Sequence, residues 1–240
     1  MNLEFKRAIR NNFYIFFSLV NILNVVLGYI LLVTIDGIKN PSFEQFFESV
    51  YTVYTQFGVL IFSVFIIMQF YIDYKEKNIY FYRKLGHTSS HYFLSKIGMI
   101  FIATIMGNLI VSFIMCISYS CLDKLPIVFF KIESVMIYYV LVASTLGFIF
   151  KNFLTAFFVN IFLWILGIVL SYISSLTKYF AYYDASNSNY KKFTSCLEGK
   201  YDNVELLQNI GNGYLYDGIL FLLCLLIICC LSRRWMKNGV

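Results

Sequence analysis

Charge is scarce in this chain. Asp, Glu, Lys and Arg make up 13% of its 240 residues, where soluble domains carry about 25%. Proline occurs twice, at Pro41 and Pro126, and histidine twice, at His87 and His91. The near absence of proline leaves long helices unkinked. No stretch of the chain is both polar and long enough to fold as a soluble enzyme or a nucleic-acid-binding domain, so neither class fits. No Gly-x-x-x-x-Gly-Lys-Ser/Thr run is present, which excludes a phosphate-cradling P-loop in this chain. Gly-x-Ser-x-Gly is missing as well, and with it the nucleophile elbow of a hydrolase. His87 and His91 have the i, i+4 spacing of two metal ligands on one helical face, but Thr88-Ser89-Ser90 lies between them. The glutamate base of a His-Glu-x-x-His metalloprotease is therefore absent, and no metal site is expected.

What fills the chain instead is apolar. Hydrophobic residues account for 60% and aromatics for 20%, with a mean hydropathy of +0.72. Stretches free of Asp, Glu, Lys and Arg run over 11–35, 49–72, 97–122, 134–150, 152–177 and 218–232. A helix needs roughly 20 apolar residues to cross a bilayer core. Four blocks are long enough outright, and the other two need a few interfacial residues. The expected fold is an all-α integral membrane protein with six spans at about 13–35, 50–72, 97–120, 132–150, 153–174 and 212–232, forming one transmembrane domain over 1–240. Lys6, Arg7 and Arg10 resemble the start of a signal peptide, but the apolar block that follows is too long and lacks a small-x-small cleavage site, so it stays as the first span.

Lys and Arg collect in cytoplasmic segments. Segments 1–12, 73–96, 151–152 and 233–240 hold 12 of the 19 basic residues and 3 of the 13 acidic ones, which places both termini in the cytoplasm and 175–211 outside. Phe5, Ala8, Ile9 and Phe13 line one side of a helical wheel opposite Lys6, Arg7 and Arg10. Residues 1–12 thus read either as an interfacial amphipathic helix or as a basic flank. Asn40-Pro41 reads as the cap and first turn of the second span, and Gly211-Asn212-Gly213 as a break before the sixth.

The charge-free blocks hold no ionisable residue. Uncharged polar residues form stripes: Asn21, Asn24 and Gly28 in the first span, and Thr104, Gly107, Asn108 and Ser112 in the third. Ala103/Gly107, Ala143/Gly147 and Gly167/Ser171 have the spacing that lets helix backbones approach closely. Helix packing is the default meaning, and lining of a substrate path is the sharper one, centred on Gln69 and Asn160. Asp217, one turn inside the sixth span, reads as solvated at the outer interface or as a contact for a cationic substrate. Cys224, Cys229 and Cys230 act as small apolar residues. Cys121 and Cys196 both lie on the outer side and read either as a disulfide or as two unpaired thiols.

Segment 73–96, Asp73-Tyr74-Lys75-Glu76-Lys77-Asn78-Ile79-Tyr80-Phe81-Tyr82-Arg83-Lys84-Leu85-Gly86-His87-Thr88-Ser89-Ser90-His91-Tyr92-Phe93-Leu94-Ser95-Lys96, is the most informative. It reads as a short amphipathic helix ended by Gly86 and followed by a Ser/Thr-capped second helix. Its charged opening, the Arg83-Lys84-Leu85-Gly86 ending and the closing Ser95-Lys96 resemble the coupling-helix loop of ABC-2 type transporter membrane subunits. The six spans, the N-terminal helix and the long outer segment resemble them too. Asn78 departs from the pattern, since many members place a glycine after the acidic residue.

The resemblance implies a half-transporter that pairs with a second membrane subunit, identical or sister. It implies cytoplasmic ABC ATPase subunits that bind ATP and Mg in trans, with no cofactor or catalytic residue in this chain. Tyr80, Phe81, Tyr82, Arg83, Lys84 and Leu85 would contact the ATPase. Spans two and five would line the path, with Phe57, Phe62, Phe65, Phe157, Phe158 and Trp164 beside Gln69 and Asn160. Subunits of this length in the family often serve bacterial exporters of antimicrobial peptides, in lantibiotic immunity or bacitracin-type resistance. The function implied is ATP-driven export, from a bacterial plasma membrane, of an amphiphilic peptide or lipid-like compound, with membrane lipid and no nucleic acid as surroundings. The alternatives are a polytopic enzyme acting on lipid through Asp184, Glu198, Asp202 and Glu205 in the outer segment, or a sensor or scaffold docking a partner through 73–96.

Overall fold

The computed structural model describes residues 2–173, 179–185, 187–197 and 203–232. These residues form helices and connecting turns: α1 (Asn2–Arg10), α2 (Phe13–Thr34), α3 (Phe43–Lys75), α4 (Asn78–Lys84), α5 (Ser89–Ser118), α6 (Leu125–Ile149), α7 (Phe153–Ile173), α8 (Ser188–Leu197) and α9 (Asn203–Cys230), with a 3-10 turn at Leu122–Lys124. Six helices, α2, α3, α5, α6, α7 and α9, are long and apolar enough to cross a membrane. The protein is an all-α integral membrane protein.

The two central helices, α3 and α6, pack against each other. Around them α2 lies against α3 and α5, α5 against α6, α7 against α3 and α6, and α9 against α6. Lipid tails are as apolar as leucine, so this association rests on close packing and on hydrogen bonds rather than on exclusion of water. Small residues are placed accordingly. A Cβ on Gly28 would lie 2.9 Å from the Val50 Cα, and one on Gly58 only 2.5 Å from the Tyr139 ring. Gly107 meets Asn21, Gly147 meets Phe70, and Gly167 meets Ala181. The three small-residue pairs read from the sequence thus each supply a contact position.

The polar stripes also serve packing. The Tyr54 hydroxyl donates to Asn21 Oδ1 at 2.8 Å, while Thr104 and Asn108 of α5 donate to the Glu133 carboxylate of α6 at 2.9 and 2.5 Å.

Several sequence expectations need correction. The cap of α3 is Ser42 rather than Asn40: its side chain accepts from the Gln45 backbone N–H while the Gln45 side chain accepts from Ser42 N–H, a reciprocal capping box. Gly211-Asn212-Gly213 breaks nothing, for α9 runs through it unbroken. Gly213 is needed there because Tyr183 Oη would lie 3.1 Å from a Cβ. Ionisable residues are also buried within the spanning helices. α6 starts at Leu125, with Pro126 in its first turn, which extends the expected span back to enclose Lys131, 2% exposed, and Glu133 within that span is 5% exposed. Asp217 is not solvated either: it is 3% exposed and accepts a hydrogen bond from Tyr183 at 2.9 Å. The reason is the turn at 179–185, whose Tyr182 stacks on Tyr216 of α9 while Tyr183 meets the same ring edge-on.

Candidate functional site

α1, α4, the end of α3 and the start of α5 meet at one end of the bundle. The chain leaves α3 through Lys77, which holds a left-handed φ of 56°. That turn brings the Asn78 side chain within 3.2 Å of Asp73 Oδ1 and 2.9 Å of Glu76 Oε2, and α4 starts there. Asn78, the departure from the family pattern, thus closes the turn with its amide. On α4, Ile79 and Tyr82 are buried at i, i+3 spacing, while Tyr80, Phe81, Arg83 and Lys84 point away. Gly86, at φ 79°, reverses the chain. Thr88 then caps α5 by accepting from the His91 backbone N–H at 3.2 Å. A left-handed lysine costs about 1–2 kcal/mol. Lys77→Gly is therefore expected to be neutral or to stabilise by up to about 1 kcal/mol, with part of the gain cancelled by the looser unfolded chain. Lys77→Val is expected to destabilise, and thermal unfolding of the two variants in detergent measures both.

Behind α4 lies a closed ion-pair network. Lys96 Nζ of α5 lies 2.7 Å from Glu4 Oε2 of α1 and 2.7 Å from Asp73 Oδ2 of α3. Arg7 pairs with Asp73 through one guanidinium nitrogen and reaches Glu76 at 3.2 Å with the other. Tyr82 of α4 donates to Glu4, and Tyr92 donates to Asp73 at 2.8 Å. Glu4, Asp73 and Lys96 are each at most 2% exposed. Two buried carboxylates thus face two cations and two tyrosine hydroxyls, so the charges balance. Burial by itself lowers the Arg7 pKa, but the charge and hydrogen bond of Asp73 outweigh it and hold the guanidinium more firmly protonated than usual. Burial, followed by the bond to Glu4, pushes the Tyr82 phenol well up, so it stays a donor.

The consequence is mechanical. The buried side of α4 is tied through Tyr82 to α1, and from Glu4 through Lys96 and Asp73 to the ends of α5 and α3. Through these bonds α4 is linked to the ends of two membrane-spanning helices. The opposite side of α4 is free of that network: Tyr80, Phe81 and Leu85 are 47%, 55% and 50% exposed, and Lys84 Nζ sits 4.7 Å over the Tyr80 ring. The six residues of the expected coupling segment therefore divide: Tyr82 belongs to the inner network, and Tyr80, Phe81, Arg83, Lys84 and Leu85 are exposed.

The other sequence-derived candidates scatter. Phe62 is fully buried, packed between Phe17 and Tyr54. Phe65 and Gln69 share a crevice of about 250 Å³ with Glu4, Arg7 and Phe16. Phe157, Asn160 and Trp164 lie on α7, where Asn160 is buried and the other two are half-buried; Phe57 and Phe158 are exposed. These residues do not converge on one opening. Cys121 and Cys196 are both free thiols. The His87 and His91 rings meet, Nδ1 to Nδ1 at 2.5 Å; burial, then the neighbouring His91, pulls the His87 pKa down.

At the far end, Asp184 is buried and accepts from Gln56 at 3.2 Å. Lys131 Nζ donates to Asn209 Oδ1 at 2.6 Å and lies 4.3 Å over the Phe193 ring, so α8 shields the lysine. Glu198, Asp202 and Lys200 fall outside the described residues. Sequence reading passed over Glu4 and treated Asp73 and Lys96 only as loop ends. The available signal was a lone acid in a basic N-terminal helix, at i, i+3 from Arg7, together with one charge at each membrane edge. On α1 Glu4 and Ala8 are buried and Phe5 is half-buried, while Ile9 is 64% exposed.

Six membrane-crossing helices with a polar, ion-paired end and an exposed amphipathic turn define a polytopic helical membrane protein. The chain belongs to the peptide export permease protein YydJ family, which matches it over residues 1–240. It is 32% identical over 250 residues, all of both chains, to the probable peptide export permease protein YydJ of Bacillus subtilis (strain 168). No solved structure matches it. This membership agrees with the resemblance to ABC-2 type permeases and makes the chain a transport subunit rather than an enzyme.

Proposed function

We propose that this chain is the membrane subunit of an ATP-driven peptide exporter, working as a pair with an identical or sister subunit. Its α4 is the coupling helix, received by a cytoplasmic ABC ATPase that supplies ATP and Mg. Both termini and α4 face the cytoplasm, at a bacterial plasma membrane, and the cargo is an amphiphilic or antimicrobial peptide moved out for resistance or self-immunity. The observation that carries this reading is the two-sidedness of α4. Exposed aromatic and basic residues are the composition of an interface anchor, and the buried side is bolted to the spans that would have to move.

The structure also decides which variant tests it. Tyr82→Asp would place an acid against buried Glu4 and damage the fold. Phe81→Asp with Leu85→Asp changes only exposed positions. The double variant is expected to remain folded and membrane-inserted while co-purification of an ATPase falls at least about tenfold, the effect of losing one or two hot spots, and export stops. Undiminished ATPase recovery and export would refute the coupling role. A chain recovered without any ATPase that turns over a lipid would establish the enzyme alternative.

A further inference from the structure

Between α1 and α4 lies an open groove of about 390 Å³ lined by Lys6, Arg7, Arg10, Glu76, Asn78, Phe81 and Tyr82. Three cations there face one carboxylate. Glu76 is already engaged by Arg7 and Asn78. Lys6 and Arg10 are exposed, and neither makes an ion pair among the described residues. The groove therefore presents two uncommitted cations. Arg10 lies three residues before Phe13, the first residue of a membrane-crossing helix, so these charges sit at the membrane boundary.

Arg7 also lines the second cavity, the crevice of about 250 Å³ walled by Ala8, Phe13, Phe16, Phe65, Met68 and Met99. Its lining is apolar except for Glu4, Arg7, Asn11 and Gln69, and Glu4 is already held by Lys96 and Tyr82. Beside the crevice Ile15, Phe16 and Leu19 are 63%, 53% and 52% exposed, as a lipid-facing surface would be. A basic groove at the membrane edge that shares Arg7 with a mostly apolar crevice has the polarity of a molecule with an anionic head and a hydrocarbon tail.

We propose that this composite site binds an anionic phospholipid. Its phosphate lies between Lys6 and Arg10, and an acyl chain lies in the crevice between α1, α2 and α3. A juxtamembrane Lys or Arg contributes about 1 kcal/mol to attraction toward anionic lipid, and the apolar crevice adds selectivity against a free anion. Because Arg7 and Asn78 belong both to the groove and to the ion-pair network, the bound lipid braces α1 against α4. The site needs no partner subunit and does not depend on what the chain exports.

The test uses the full-length chain in a neutral detergent and follows thermal unfolding with added phosphatidylglycerol, phosphatidylcholine or inorganic phosphate. Phosphatidylglycerol is expected to raise Tm by about 5 °C; phosphatidylcholine and millimolar phosphate are expected to do much less. The Lys6→Gln/Arg10→Gln variant should keep the lipid-free Tm and lose most of that shift, and Lys6→Arg should retain it. Equal shifts from both lipids, an equal shift from inorganic phosphate, or a shift preserved in the double glutamine variant would each overturn the proposal. A double variant that keeps the lipid shift but no longer retains an ATPase would assign the groove to a protein partner instead.

Discussion

Lys96→Met is expected to destabilise the protein by about 3–5 kcal/mol, the cost of breaking a buried ion pair from one side. Among the described residues, Lys96 Nζ is the only cation within ion-pair distance of Glu4 and one of two paired with Asp73, and all three groups are nearly or fully inaccessible. Its loss leaves Glu4 with a single tyrosine donor and Asp73 leaning on Arg7. Heating of the detergent-solubilised variant, followed by size-exclusion chromatography, should show the drop. The diagnostic companion is Glu4→Gln with Lys96→Met, which removes one charge of each sign and keeps an acceptor for Tyr82. At least half of the loss should return, because an uncompensated buried charge, rather than a missing contact, is what Lys96→Met creates. A double variant as unstable as the single one would show that Lys96 acts through the packing of its stem.

Gly28→Val is expected to destabilise on the order of 3 kcal/mol by overpacking. A Cβ at this position would lie 2.9 Å from both Cα and Cγ2 of Val50 and 3.1 Å from its backbone nitrogen. Backbone cannot swing aside as a side-chain tip can, so α2 and α3 must separate. Separation also breaks the bond from the Ser49 hydroxyl to the Gly28 carbonyl, 2.8 Å long. Gly98, with nothing within 4 Å of an added Cβ, is the control: Gly98→Ala should leave stability unchanged or raise it slightly, as a helical Gly→Ala exchange does. A Gly28→Val protein as stable as the parent would show that the α2–α3 contact is loose. The same thermal assay distinguishes the outcomes.

Much of this architecture was legible without coordinates. The six charge-free blocks led directly to six membrane-crossing helices, because the bilayer imposes one length on every segment that crosses it. The α4 segment was legible for a similar local reason: Ile79 and Tyr82 repeat at helical spacing, Gly86 supplies the left-handed residue, and Thr88 supplies the cap. What could not be read was anything requiring two distant segments to meet. Glu4 and Lys96 are 92 residues apart, and neither periodicity nor composition indicates that they form an ion pair. Asp217 was misjudged because its exposure depends on Tyr183, which reaches it from a separate turn. Lys131 was left outside the membrane because a rule that ends spans near charges cannot know that Asn209 waits to satisfy it, and the partners of Glu133, Thr104 and Asn108, lie on another helix.

The sequence by itself determined that this chain lives in a membrane, how many times it crosses, and which short segment projects from it as an amphipathic helix. These are properties of single segments, set by hydrocarbon thickness and by residues within a few positions of one another. Only the tertiary structure decided which side of that helix is free and which is bolted down, which charges are paired, and which glycines are indispensable. Those properties belong to contacts between helices, where a buried carboxylate is tolerable solely because a cation or donor from another part of the chain arrives within 3 Å of it.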